Sequence, residues 1–245
     1  MAYMIFDKPL GVQSYSFRKF TDAEKLCERI AAAGLCATEV CGVHVDAENK
    51  ESIAKYIAAT EKAGVKTTSF GINWLGCEED KARALFELAK RLGIKVMGAS
   101  FPESHIAMVE KLCDEYGIKV AIHNHGRDDI YGTTEKLSAL FAKCSSNVGF
   151  CLDACWALDA GERPEEMAKT FYDRLYGVHF KDMVFDSENK CEEVILGTGL
   201  LNLPALKQAI EGAPIEYFSI EYELNEDEPT EDIKVCIDNV MKYFA

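Results

Sequence analysis

Apolar residues follow two alternating rhythms along the chain. Ala23, Leu26, Cys27, Ile30 and Ala33 recur every three or four residues, which predicts a helix with one buried face. The same spacing recurs at Ala82, Leu85, Phe86, Ala89 and Leu92, and at Ile106, Val109, Cys113 and Tyr116. It returns at Leu137, Leu140, Phe141 and Cys144, and at Ile233, Cys236, Ile237, Val240 and Phe244. Thr21 and Glu24 predict a capping box ahead of the first helix. Fainter helical patterns cover 50–63, 163–172 and 203–211. Between the helices lie short β-type runs at 10–16, 36–40, 65–70, 94–99, 119–124, 148–153, 175–180 and 216–221.

The two rhythms are joined by a recurring device. Gly34, Gly64, Gly93 and Gly117 each follow a helical stripe and precede a β-type run, at intervals of 30, 29 and 24 residues. Glycine past a helix end supplies the left-handed turn that returns the chain to a sheet. Eight strands, each followed by a helical pattern, predict a parallel sheet covered on its outer face. With no linker in the sequence, the expected α/β fold is a single (β/α)8 TIM barrel, one domain over 1–245. An open doubly wound sheet would bring a glycine-rich phosphate loop after its first strand, where this chain reads FRKFTDAE.

Charge narrows the partners. The chain has 245 residues and a formal charge of −14, which opposes binding to nucleic-acid phosphates. No run approaches the roughly 18 apolar residues of a membrane span, and the opening MAYMIFDKPL lacks the pattern of a secretion signal. The 10 cysteines contain no C-x-x-C pair, and several fall on helix stripes as small hydrophobes. Reduced thiols and a cytoplasmic location are expected, with Cys151 and Cys155 left open because they flank a site residue. Seven acids and no Lys or Arg lie between Glu221 and Asp232, which predicts an acidic rim that concentrates divalent cations.

In a barrel of this kind chemistry gathers at the carboxyl ends of the strands. Those ends carry His123-Asn124-His125, Asp153, His179 with Lys181, and Glu221 with Glu223. Three of the chain's five histidines are among them. Side chains alternate along a strand, so His123 and His125 share a face, as do His179 and Lys181. One ligand from each of four consecutive strands gives the expected metal set: His123, Asp153, His179 and Glu221. Imidazole and carboxylate together suit Mn²⁺, Zn²⁺, Co²⁺ or Mg²⁺.

The strand ends AIHNHG, CLDACWALDAGERP, VHFKD and IEYE, with Gly197-Thr198-Gly199 and the opening GVQSYSFR, resemble the xylose isomerase-like TIM barrels, broadly the sugar phosphate isomerases/epimerases. The resemblance spans nearly the whole chain and implies a divalent metal at the ends of the last four strands. Two departures stand out. Many epimerase relatives carry Glu where this chain has His123, and Asp153 is followed by Ala154-Cys155-Trp156 where relatives often place a histidine. A mechanism with two carboxylates acting on opposite faces of the substrate therefore does not transfer intact. The superfamily's endonuclease IV branch needs more histidines than are suitably placed here.

The chemistry that fits is proton abstraction next to a sugar carbonyl, assisted by the metal, through an enediolate. Candidate bases are Glu221, His125 and Glu39, and Lys181 could stabilise the oxyanion or transfer a proton. Trp74, Trp156 and Glu223 are candidate substrate contacts. Acidic and apolar neighbours of Gly197-Thr198-Gly199 point to an unphosphorylated sugar. A metal-dependent lyase, dehydratase or hydrolase on keto-sugars or 3-keto-glycosides is the alternative, and a non-catalytic sugar-binding or accessory subunit a further one. The long segment 182–203 is expected to form a lid or a contact within a homo-oligomer.

Overall fold

The computed structural model describes residues 2–244. Eight strands form the barrel: β1 (Lys8–Gln13), β2 (Ala37–Val40), β3 (Lys66–Phe70), β4 (Val96–Ser100), β5 (Lys119–His123), β6 (Val148–Asp153), β7 (Leu175–Phe180) and β8 (Tyr217–Ile220). The helices outside them are α1 (Ala23–Ala32), α2 (Lys50–Ala63), α3 (Glu79–Arg91), α4 (Ile106–Tyr116), α5 (Thr134–Phe141), α6 (Ala154–Asp159), α7 (Pro164–Thr170), α8 (Leu203–Ile210) and α9 (Thr230–Phe244).

Hydrogen-bonded neighbours run β3-β2-β1-β8-β7-β6-β5-β4, every pair parallel. The remaining seam, between β3 and β4, is bridged by one stretch of chain. After β3 pairs with β2, the backbone passes Gly71 and Ile72, and Asn73–Trp74 pairs with β4. Ser69 Oγ lies 3.1 Å from the Val96 carbonyl oxygen across the same seam. This is a nearly closed barrel of nine parallel strand segments. Gly71 is packed so closely there that a Cβ would lie 2.5 Å from the Gly98 carbonyl oxygen.

The predicted punctuation forms. Gly34, Gly64, Gly93 and Gly117 all take positive φ, between 66° and 83°. The fainter helical patterns become α2, α7 and α8. Two local expectations are corrected, and the long segment after β7 gains a definite shape. The cap of α1 is Asp22 rather than Thr21, because one carboxylate oxygen accepts from both Glu24 N–H (3.0 Å) and Lys25 N–H (3.1 Å). The first strand ends at Gln13, and Ser14–Phe17 form a 3₁₀ turn. Segment 182–203 folds back on itself: Asp182–Phe185 pairs antiparallel with Cys191–Val194.

The hairpin and the loop after it are organised by Asp182, which is buried. Its two oxygens accept from four backbone amides, those of Met183, Gly197, Gly199 and Leu201, each at 2.9 Å. The acidic run after Glu221 is not a free rim either. Glu226 pairs with Arg18 and Lys19, Glu228 with Arg29, and Glu231 with Lys234. All ten cysteines are free thiols. Among the described residues no helix is long and apolar enough to cross a membrane.

Closure at Gly71 is testable. Gly71→Ala places a methyl group against backbone rather than against a movable side chain, so a loss of about 1–3 kcal/mol is expected, read as a lower urea midpoint. An unchanged midpoint would mean that the seam can relax at no cost.

Candidate metal centre

Asp153 ends β6 and caps α6. Its Oδ1 accepts from Trp156 N–H at 2.9 Å, and its Oδ2 is buried with no hydrogen-bond partner. Asn124 clamps the same residue through the backbone: Asp153 N–H donates to Asn124 Oδ1 (2.8 Å), and Asn124 Nδ2 donates to the Asp153 carbonyl (3.0 Å). The carboxylate is therefore fixed with one oxygen used and the other free.

The ladder places His179 directly beside Asp153, as Cα partners of β7 and β6. His179 Nδ1 lies 2.7 Å from Glu221 Oε2 and 3.8 Å from Asp153 Oδ2. His123 Nε2 lies 3.5 Å from the same Asp153 oxygen and also lacks a hydrogen-bond partner. One donor atom from each of His123, Asp153, His179 and Glu221 falls within 4.8 Å of the others. A buried carboxylate oxygen and a buried imidazole nitrogen, both unpartnered and adjacent, carry a desolvation cost that a cation between them would relieve. The N₂O₂ donor set fits a divalent transition metal.

Beneath this cluster Glu39 is fully buried. Its Oε2 is 2.5 Å from His179 Nε2, and its Oε1 accepts from Ser69 Oγ at 3.1 Å. A carboxylate on the far nitrogen of a ligating imidazole fixes its tautomer and ring orientation. Burial works against charge on His179, yet Cys151 and Glu39 beside it, with the hydrogen bond to Glu221, hold the imidazolium well above its usual range. Burial likewise disfavours charge on Glu221, but Lys181 and His179 outweigh it and keep the carboxyl well below its usual range. A metal taking the place of the His179 Nδ1 proton would release that proton.

On the outer side stands Lys181, also buried. Its ammonium binds Glu223, with Glu193 Oε2 at 3.7 Å and Glu221 Oε1 at 3.8 Å. Burial opposes this charge, and the surrounding carboxylates of Glu221, Asp153, Glu193 and Glu223 overcome it, raising the pKa well above the ordinary lysine value. Glu193 comes from the hairpin after β7 and accepts from Glu223 N–H at 2.7 Å. Burial pushes its carboxyl up to about 7, with Lys181 pulling the other way.

A cavity of about 630 Å³ opens above the cluster, lined among others by His123, His125, Glu221, Glu223 and Trp74. Not every residue expected at the site reaches it. Asp153 and His179 are buried beside the lining rather than in it, Glu39 lies below His179, Lys181 lies behind Glu223, and Trp156 is not part of the lining. Trp156 instead packs under the His125 ring, centroids 4.2 Å apart, with the Lys181 ammonium 5.5 Å from its ring centroid. Asn124, Asp182 and Glu193 were not read as site residues from the sequence. Asn124 and Asp182 carry the signal of a strand-end position, and Glu193 carries none.

A sequence profile of the xylose isomerase-like TIM barrel matches residues 27–239. The chain belongs to this family. No curated protein sequence matches it. Among solved structures, a sugar phosphate isomerase/epimerase from Parabacteroides distasonis superposes with a TM-score of 0.72 at 16% identity, over 96% of this chain and 95% of that one. The probable 3-DHS dehydratase AsbF of Bacillus anthracis gives 0.72 at 15% identity, over 92% and 97%. The IOLI protein, solved with a bound zinc atom, gives 0.70 at 17% identity, over 96% and 99%. At these identities the likeness is one of fold.

Glu39→Gln removes the charge that orients His179 while keeping its shape. Mn²⁺ affinity is expected to fall about 10- to 100-fold, with an unchanged circular dichroism spectrum; wild-type affinity in a calorimetric titration would refute the orienting role. Glu193 predicts a pH effect in chelator-treated protein. The folded state keeps this proton up to about 7, whereas the unfolded carboxyl loses it near 4.5. Its contribution to stability is thus fullest below 4.5 and is lost as pH rises from 4.5 to 7. Glu193→Gln should flatten that decline in urea unfolding, and parallel profiles would count against it.

Proposed function

We propose that the protein is a divalent-metal-dependent isomerase or epimerase that moves a proton next to the carbonyl of an unphosphorylated sugar. The observation that carries this reading is the convergence of donor atoms from His123, Asp153, His179 and Glu221, of which His123 and Glu221 line the cavity. A divalent cation bound there supplies a Lewis acid for the carbonyl oxygen.

The chain's own groups fit the remaining work. Glu221 and His125 both line the cavity and can accept a proton at Oε and at an imidazole nitrogen. Glu39 acts from below as a positioning residue for His179, and Asn124 does the same for Asp153. Lys181 restrains Glu223 and places positive charge beside Glu221. No lysine or arginine lines the cavity among the described residues, and the amides of Gly197 and Gly199 are taken by Asp182. Both observations disfavour a phosphate group on the substrate.

Elimination from a keto-sugar is the second reading. With His123 as an imidazole member, Glu221 is the one member of the quartet that is both a carboxylate and part of the cavity lining. A single carboxylate with a nearby imidazole suits removal of a proton followed by protonation of a leaving group. The dehydratase of Bacillus anthracis shares this fold.

Incubation of the Mn²⁺-loaded protein in D₂O with a panel of ketoses and 3-keto-glycosides, followed by proton NMR, separates the readings. Deuterium entering next to the carbonyl without loss of a group is the expected outcome, abolished in His179→Ala. Release of water or an aglycone would favour elimination. A protein that holds no stoichiometric divalent ion and exchanges no substrate proton would leave only a binding or accessory role.

A further inference from the structure

The cavity has two unlike walls. One carries His123, His125, Asp129, Glu221 and Glu223, from the ends of β5 and β8 and the loops after them. The other carries Tyr15, Val43, Ile72 and Trp74, from the segments after β1, β2 and β3, none of them charged, with Tyr15 next to the acidic group because β1 pairs with β8. These four are 38%, 39%, 40% and 55% exposed. Scattered apolar side chains at a surface are ordinary, but four on adjoining loops lining one cavity make a patch that marks a binding site.

Two of the rings are held rigidly. Trp74 Nε1 donates to the Gly76 carbonyl at 3.1 Å. The indole also lies so close over Gly76 that a Cβ there would come within 2.5 Å of it. Tyr15 sits under the Arg18 guanidinium, 5.0 Å from its ring centroid, and Arg18 is tied to Glu226 at 2.9 Å and to the Glu223 carbonyl at 2.8 Å. Aromatic surfaces fixed before binding give up little rotamer freedom when a ligand arrives.

Beyond the Tyr15 phenol and the unpartnered Ser100 hydroxyl beside Trp74, this wall offers hydroxyl groups little. Gln13, the amide side chain that lines it, donates to the Gly71 carbonyl at 3.1 Å and accepts from Tyr15 N–H at 3.2 Å. A polyol laid against it would leave hydroxyls without partners, a cost that the polar wall does not impose.

We propose that the Tyr15–Val43–Ile72–Trp74 wall is a subsite for an uncharged aromatic or apolar substituent borne by the sugar, so that the substrate class is the aryl-substituted sugar rather than the bare one. This rests on the reading of the polar wall as the sugar site. The substituent lies across Trp74 and Tyr15 while the ring hydroxyls meet the carboxylates and imidazoles. The four side chains of the wall are uncharged and favour an uncharged substituent.

Calorimetric titration of Mn²⁺-loaded protein with phenyl and methyl β-glucopyranoside tests the preference, and 4-nitrophenol, titrated into chelator-treated protein in a buffer acidic enough to keep it as the neutral phenol, tests the wall alone. The phenyl glycoside should bind at least tenfold more tightly than the methyl one. Trp74→Ala should erase that difference and weaken 4-nitrophenol at least tenfold, with Mn²⁺ affinity unchanged. Val43→Asp, on an exposed loop position, should weaken only the aromatic probes. Equal affinities for the two glycosides, no binding of either, or 4-nitrophenol binding indifferent to both substitutions would overturn the inference. Failure to bind Mn²⁺ alone would instead contradict the metal-dependent function, while the 4-nitrophenol result still decides the subsite.

Discussion

Glu39 under His179 is the contact on which the rest of the site depends. An ionised or hydrogen-bonding carboxylate with no solvent exposure is costly unless every oxygen is met. Here one oxygen meets an imidazole nitrogen and the other a serine hydroxyl. That arrangement fixes which nitrogen of His179 faces upward, and so where Glu221 and Asp153 find it. The barrel makes the arrangement possible because β2 and β7 lie across its interior from one another, 140 residues apart in sequence.

Charge is layered outward from that point. Glu39 and His179 lie at the base, the four donor atoms above them, then Lys181 between Glu221, Glu223 and Glu193. Each layer holds the next in place by pairing opposite charges where water is excluded. The hairpin after β7 joins the site through Glu193, while Asp182 at its base gathers the glycine loop. Such pairs lock geometry more than they add net stability, which is what a metal centre requires of the residues around it.

Much of this was legible in the chain before any coordinates. Helix stripes, terminal glycines and short β-type runs were enough for the barrel, since each reflects a local rule. Strand alternation and strand ends were enough to select His123, Asp153, His179 and Glu221. What lies deeper depends on the third dimension. Parity places Glu39 on one face of β2 but does not say that it stops short of the cavity. Lys181 shares its face with His179, yet its burial behind Glu223 depends on a hairpin whose fold the sequence did not reveal. The acidic run after Glu221 resembled a free rim because its partners, Arg18, Lys19 and Arg29, are some 200 residues away. Asp22 displaced Thr21 as a cap because a carboxylate can take two amides at once.

The central claim is that four side chains from four consecutive strands hold one divalent ion. Anomalous diffraction from crystals grown with Mn²⁺ addresses it directly. One strong peak is expected, coordinated by His123 Nε2, Asp153 Oδ2, His179 Nδ1 and Glu221 Oε2. No peak among these atoms, or a fully occupied one elsewhere in the cavity, would contradict it.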